Sequence, residues 1–315
     1  MQKNSITVRE YAQHFGLVIL SGFDTLDQRE IVDMAINRPG FELCGFFKAT
    51  DKHKLVVFGN KEIEFIQSEQ NHNQKTLIEA YDFLTNDTCP AIIICRNLPC
   101  PIELLEIGRK KNFPIFSTSM TTSELNVKTF TYLQEVLAPK TSLHASLLEI
   151  YSVGVLILGE SGIGKSETTL ELVRKGHKLI SDDRVDITAI GGKLFGEAPE
   201  LLNGMMEVRG IGIIDVPRIF GINTLVKKVE ISYAINLVKY KQETPYERLG
   251  NKPITLKILD RDIPLLNLPV SGARSMANIV EVAVTNLKLK DYGIDSAFEF
   301  ENRMNELLRR KKVDD

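Results

Sequence analysis

The sequence predicts an α/β protein in two parts, an N-terminal α/β domain followed by a C-terminal domain built around a phosphate-binding loop. Three observations carry this reading. Apolar runs alternate with amphipathic stretches as far as Val136. A single glycine-rich motif at 159–166 lies between an apolar run and a helical stretch. Further β-rich runs then crowd the chain. With 315 residues the chain is about twice the usual domain length, so two domains are expected, each able to bury its own core.

In the first half, residues 7–15 read as a short helix. The runs 54–59 (KLVVFG) and 91–95 (AIIIC) are short and continuously apolar, as buried strands are. Residues 102–112 read as a helix and 114–118 as a strand. A further helix starts near Thr121 or Thr122 and runs to about Val136, with Leu125, Phe130 and Leu133 on its apolar side. Strand, helix, strand, helix implies a parallel sheet. Ala138-Pro139-Lys140-Thr141 then combines a proline with a loss of apolar periodicity, which marks a linker and divides the chain into domains at 1–136 and 137–315.

The second half opens with residues 143–158, which suggest two short strands joined by a turn. HKLIS, RVDITAI, KKVEISYAINLVKY and PITLKIL follow, too many strands for a plain doubly wound sheet. Two helices close the chain, 277–290 and 297–310, the second placing Phe300, Met304, Leu307 and Leu308 on one face.

Composition narrows the function classes. A net charge of −2 argues against a broad electrostatic grip on nucleic acid. Cys44, Cys89, Cys95 and Cys100 form no CxxC pair and have no histidine at ligand spacing, so reduced cysteines in a cytoplasmic protein are expected rather than a zinc site. The N-terminal stretch has no apolar signal region, and apolar runs such as 153–158 (VGVLIL) are too short to span a bilayer.

The chemistry concentrates in Gly159-Glu160-Ser161-Gly162-Ile163-Gly164-Lys165-Ser166, which fits GxxxxGK[ST] without mismatch between a strand and an amphipathic helix. Glycines let backbone N–H groups turn inward around an anion, and the helix N-terminus adds partial positive charge. Lys165 suits the β- and γ-phosphates, and the Ser166 hydroxyl suits magnesium. The strand KLIS ends in Asp182-Asp183, where a metal-associated acid or a general base belongs. A regulatory GTPase needs DxxG and NKxD, and Asp215-Val216-Pro217-Arg218 and Asn251-Lys252-Pro253-Ile254 fit neither.

Residues 143–183 resemble the HPr kinase/phosphorylase family of bacterial carbon regulation. The resemblance extends to Met206-Glu207-Val208-Arg209-Gly210-Ile211-Gly212-Ile213-Ile214-Asp215, to Tyr246-Glu247-Arg248-Leu249-Gly250, and in the first half to Arg38-Pro39-Gly40-Phe41-Glu42-Leu43 and 90–122. It implies phosphorylation of a serine on the phosphocarrier protein HPr with ATP and Mg2+, and the reverse reaction with inorganic phosphate to give pyrophosphate. It also implies a hexamer and a C-terminal P-loop kinase domain related to phosphoenolpyruvate carboxykinase. By resemblance, Asp183 is the acid/base, Ser166 and Glu207 are magnesium ligands, and His144, Lys165 and Arg248 are further active-site residues. The chain departs from the family at Pro269-Val270-Ser271-Gly272-Ala273-Arg274, where an arginine has become Ser271 and a proline is lost. That loop matters for dephosphorylation, so the resemblance bears more firmly on the kinase direction. Two other readings stand beside it: a small-molecule kinase sharing the phosphoenolpyruvate carboxykinase core, and a regulator in which nucleotide only gates partner binding.

Overall fold

The computed structural model describes residues 5–48, 51–69, 73–239, 254–270 and 275–311, with side chains as far as Met304. The chain divides into two compact units, Met1–Ala138 and Pro139–Asp315. Among the described residues no helix is long and apolar enough to cross a membrane.

The first unit opens with helix α1 (Val8–Phe15). Thr7 caps it, accepting from the Glu10 backbone while the Glu10 carboxylate reaches back to the Thr7 N–H. A five-stranded sheet follows, with strands β1 (Val18–Ser21), β2 (Ile36–Asn37), β3 (Leu55–Phe58), β4 (Ile92–Ile94) and β5 (Ile115–Ser117) in the order β1-β5-β4-β3-β2. Strands β2 to β5 are parallel, and β1 joins the edge antiparallel.

Both faces of this sheet are covered, which explains the unbroken apolar runs. Val56 and Phe58 enter one core with α2 (Asn60–Glu69), α3 (Gln74–Leu84) and α4 (Ile102–Lys110). Leu55 and Val57 enter the other with α1 and α5 (Thr122–Val136). Helices α2 and α3 have no clear signal in the sequence, since they sit in a polar stretch with modest apolar stripes. Phe130, expected on the apolar side of α5, lies off it. The buried stripe of α5 runs Leu125, Thr129, Leu133 at steps of four, and Phe130, one residue round the helix, is 47% exposed.

The second unit begins with β6 (Lys140–Leu143), so half of the expected linker is strand. Strands β7 (Ser146–Ile150) and β8 (Val153–Gly159) form the foreseen hairpin. Its turn places Tyr151 and Ser152 at φ +50° and +66°, the geometry that suits the twist of a two-residue hairpin. Helix α6 (Lys165–Arg174) follows, then β9 (Lys178–Ser181), β10 (Val185–Ile190), β11 (Lys193–Glu197) and a separate hairpin of β12 (Met205–Val208) and β13 (Gly212–Asp215). Asp215 accepts from the Arg218 backbone N–H to cap the short helix α7 (Val216–Phe220), a structural role for the residue tested above as a switch motif. The long strand β14 (Lys228–Lys239) lies parallel to β8 on one side and to β16 (Arg261–Val270) on the other. β15 (Ile254–Ile258) pairs with β16. The main sheet has nine strands, with the path β9-β7-β8-β14-β11-β10-β6.

Helices α6 and α8 (Met276–Asp291) cover one face of this sheet, over Val155, Ile157, Tyr233 and Ile235. On the other face Leu156 and Ala234 pack with Ile187, Leu194 and Ile263, which come from other strands of the same sheet. The width of this one sheet, with the β12–β13 hairpin beside it, accounts for the surplus of strands in the sequence. The last helix, α9 (Ser296–Lys311), carries Phe300 and Met304 at 57% and 43% exposure, so this part of its expected apolar face is uncovered within the described chain.

Ile157 is fully buried between β8 and the helices. Ile157→Ala is expected to destabilise the second unit by about 2–5 kcal/mol, from lost transfer energy and the cavity left behind. A urea titration followed by circular dichroism measures it.

Candidate active site

Strand β8 delivers the glycine-rich loop to the N-terminus of α6, and two glycines make the path possible. Gly159 has φ +148°, and a Cβ there would stand 2.8 Å from the Leu237 carbonyl oxygen of neighbouring β14. Gly164, at φ +104°, is the N-cap of α6, a backbone conformation that side chains strain to adopt. The free N–H groups of the first helical turn then face the loop, where an anion is stabilised.

Lys165 is buried at 7% exposure, and its ammonium is held on the loop's own backbone. Nζ donates to the Gly159 carbonyl at 2.9 Å and to Glu160 at 3.4 Å, and lies 3.3 Å from His144 Nε2. An ammonium only donates, so Nε2 accepts and the ring hydrogen sits on Nδ1. His144 Nδ1 in turn lies 3.0 Å from Asp183 Oδ1. Lysine, imidazole and carboxylate thus form one chain across the mouth of the loop. Ile163 packs against the core, and Glu160 turns outward to Lys239 at 2.8 Å.

The two adjacent aspartates differ sharply. Asp182, at the end of β9, is 4% exposed. It accepts from Ser146 Oγ at 2.6 Å and is also hydrogen-bonded by Ser166, and burial pushes its carboxyl above the ordinary range. Asp183 has a side chain 71% exposed and a left-handed backbone at φ +69°. Its carbonyl accepts from Ala145 N–H at 3.2 Å, and Arg184 N–H donates to Asp182 O at 2.9 Å, which fixes the turn that sends the two carboxylates apart.

The β12–β13 hairpin completes the cleft. His144, Lys165, Ser166, Asp183 and Glu207 line one cavity of about 230 Å3, together with Ser161, Gly162 and Gly164 of the loop and with Asp182, Glu167 and Arg209. Arg248 and the loop Ser271-Gly272-Ala273-Arg274 lie outside the described residues. Ser146 and Arg209 also belong to the site, and neither carries a motif in the sequence. Ser146 reads as a small residue in an apolar strand, whereas Arg209 stands two residues after Glu207 and could have been singled out on that spacing.

Among the described residues no group of three or more His, Cys, Asp or Glu could hold a metal by itself. The oxygens of Ser166 and Glu207 beside the phosphate loop suit magnesium, which commonly takes one or two protein ligands and completes its shell from phosphates and water.

Residues 6–133 match the family model for the HPr Serine kinase N terminus, and residues 135–304 match that for the HPr Serine kinase C-terminal domain. The chain belongs to the HPr kinase/phosphorylase family. It is 36% identical to an HPr kinase/phosphorylase of Pediococcus pentosaceus over 97% of this chain and 98% of the relative. A Lactobacillus gasseri relative of the same name is 40% identical over 93% and 91%, and one from Bacillus subtilis 36% over 96% and 97%. A solved structure described as the Hpr(Ser) kinase/phosphatase from Coxiella burnetii is 38% identical, covers 51% of this chain and 98% of its own, and has a TM-score of 0.46.

Gly164→Ala is expected to strain the loop by about 1–3 kcal/mol and to weaken binding of a fluorescent nucleotide. Thermal denaturation and a nucleotide titration on the same variant read both effects.

Proposed function

We propose that this chain uses ATP and magnesium to phosphorylate a serine of the phosphocarrier protein HPr, and reverses the transfer with inorganic phosphate, as a cytoplasmic regulator of carbon catabolism. One observation carries the reading for a chain of this family. An exposed carboxylate, Asp183, is aimed by His144 into the same cleft as Lys165 and the phosphate loop.

In the forward direction Asp183 orients the serine hydroxyl and accepts its proton as the serine oxygen bonds to the γ-phosphorus and the bond to ADP breaks. In reverse, an oxygen of inorganic phosphate attacks the phosphoserine phosphorus. Pyrophosphate forms, and Asp183 returns the proton to the departing serine oxygen. Lys165 moves from its backbone carbonyls onto the β- and γ-phosphates, and Arg248 stabilises charge on the transferring group. His144 holds Asp183 in place through its Nδ1 hydrogen. Ser166 and Glu207 would hold magnesium, which would supply charge neutralisation on the phosphates. Asp182 suits none of the proton transfer, since a protein hydroxyl does not reach a buried carboxylate already engaged by two serines.

The catalytic domain is residues 137–315, related to phosphoenolpyruvate carboxykinase. The second face of the nucleotide sheet, packed by residues of the sheet's own further strands rather than by helices, supports that relation. Residues 1–136 serve assembly or regulation, for every described site residue lies in the other unit. The working form is a hexamer, and light scattering on the purified protein should read near six subunits; an active monomer overturns that.

Asp183→Asn should lower HPr phosphorylation by about 10²–10⁴-fold with ATP affinity preserved, whereas Lys165→Ala should abolish transfer in both directions. Single-turnover phosphorylation beside nucleotide affinity separates these. Wild-type transfer by Asp183→Asn, with loss in Asp182→Asn, reverses the assignment of the two aspartates.

A further inference from the structure

The β12–β13 hairpin stands apart from the large sheet and, among the described residues, pairs with no other strand. An isolated two-stranded hairpin is marginal in water, so one face must be anchored. Met206, 1% exposed, and its cross-strand partner Ile214 provide the anchor against the core beneath α6, with Val208 beside them. Residues directly opposite each other share a face, and side chains alternate along a strand. The next pair, Glu207 and Ile213, therefore projects from the other face, and that is the face Glu207 turns into the phosphate cleft.

Ile213 is 76% exposed and Ile211, in the turn, is 74% exposed. The turn residue Arg209 reaches the loop, its Nη2 3.5 Å from where a Cβ on Gly162 would lie. Scattered exposed apolar residues need no explanation. An isoleucine cross-strand from a cleft carboxylate, at the rim of a phosphate site, does. Water excluded there strengthens the charge interactions within the cleft, so an apolar rim is best used when something covers it.

We propose that Ile211 and Ile213 form the apolar shelf on which the acceptor protein rests while its serine reaches Asp183, so that they determine specificity for a folded acceptor over a free hydroxyl. This rests on the proposed HPr kinase activity. Ile213 stands cross-strand from Glu207 on the face turned to the cleft, so an acceptor large enough to present a hydroxyl to exposed Asp183 beside Glu207 can rest on it. A metabolite filling the cavity of about 230 Å3 alone would leave both isoleucines in water.

The test is steady-state phosphorylation of purified HPr by the full chain, with Mg-nucleotide affinity measured in parallel by fluorescence titration. Burial of most of one isoleucine is worth about a ten-fold change in affinity. Ile211→Ser and Ile213→Ser are each expected to raise KM for HPr about ten-fold with unchanged nucleotide affinity, and Ile213→Leu to retain most of the wild-type KM. Val282→Ser, on the outer side of α8 and 70% exposed, serves as the control and leaves KM unchanged. An unchanged KM for HPr in both serine variants overturns the inference. So does a fall in oligomer mass by light scattering, which makes a second copy of the chain the occupant. If wild-type protein transfers no phosphate to HPr, the acceptor assignment fails first, and the inference with it.

Discussion

Strand β8 is clamped between two cores, and the position of everything that touches phosphate follows from that. Val155 and Ile157 are locked under helices while Leu156 is locked under strands, so the strand can neither slide nor rotate without opening one core or the other. Its parallel pairing with β14 runs to the last residue, Gly159 against Leu237. The loop therefore leaves from a fixed point. A phosphate cradle made of backbone N–H groups has no side chains to adjust, so its precision has to come from the rigidity of its two anchors. Here these are a doubly buried strand and a helix packed on the same core through Leu172 and Val173.

The same clamp organises the acid side of the cleft. β7 pairs with β8 and also with β9, which brings Ser146 at the start of one strand beside Asp182 at the end of the other. One aspartate is drawn inward by two hydroxyls, and its neighbour is turned outward to an imidazole. Two identical side chains adjacent in sequence thus acquire different surroundings because the backbone reverses hand between them. Unlike environments give neighbouring carboxylates unlike affinities for protons, and here one turn produces them.

Much of this is legible in the sequence, and the limits are physical. The apolar run 153–158 followed by GxxxxGK[ST] reads correctly because its strand is buried on both faces and its loop demands glycine. The paired aspartates are conspicuous at the end of an apolar strand. The helices α2 and α3 were passed over because their apolar stripes are narrow and interrupted by charge, and tertiary packing against the sheet completes them. Phe130 was misplaced because a single large residue outweighed the four-residue spacing of Leu125, Thr129 and Leu133. Ser146 and Ile213 gain meaning only from register. A serine inside an apolar strand looks like filler, and Ile213 looks like core until it is found opposite Glu207. Pairing between strands distant in sequence is what one chain read alone conceals.

The left-handed backbone at Asp183 has a consequence for how this protein tolerates change. At φ +69° glycine relaxes the chain and asparagine sits about as well as aspartate, while β-branched side chains clash. The residue that the backbone would choose and the residue that the proposed chemistry requires are different. A library of variants sorted purely for heat resistance should drift toward glycine at this position, and the same library sorted for phosphoryl transfer should keep the acid. Resistance to unfolding and competence in transfer pull against each other at a single dihedral angle.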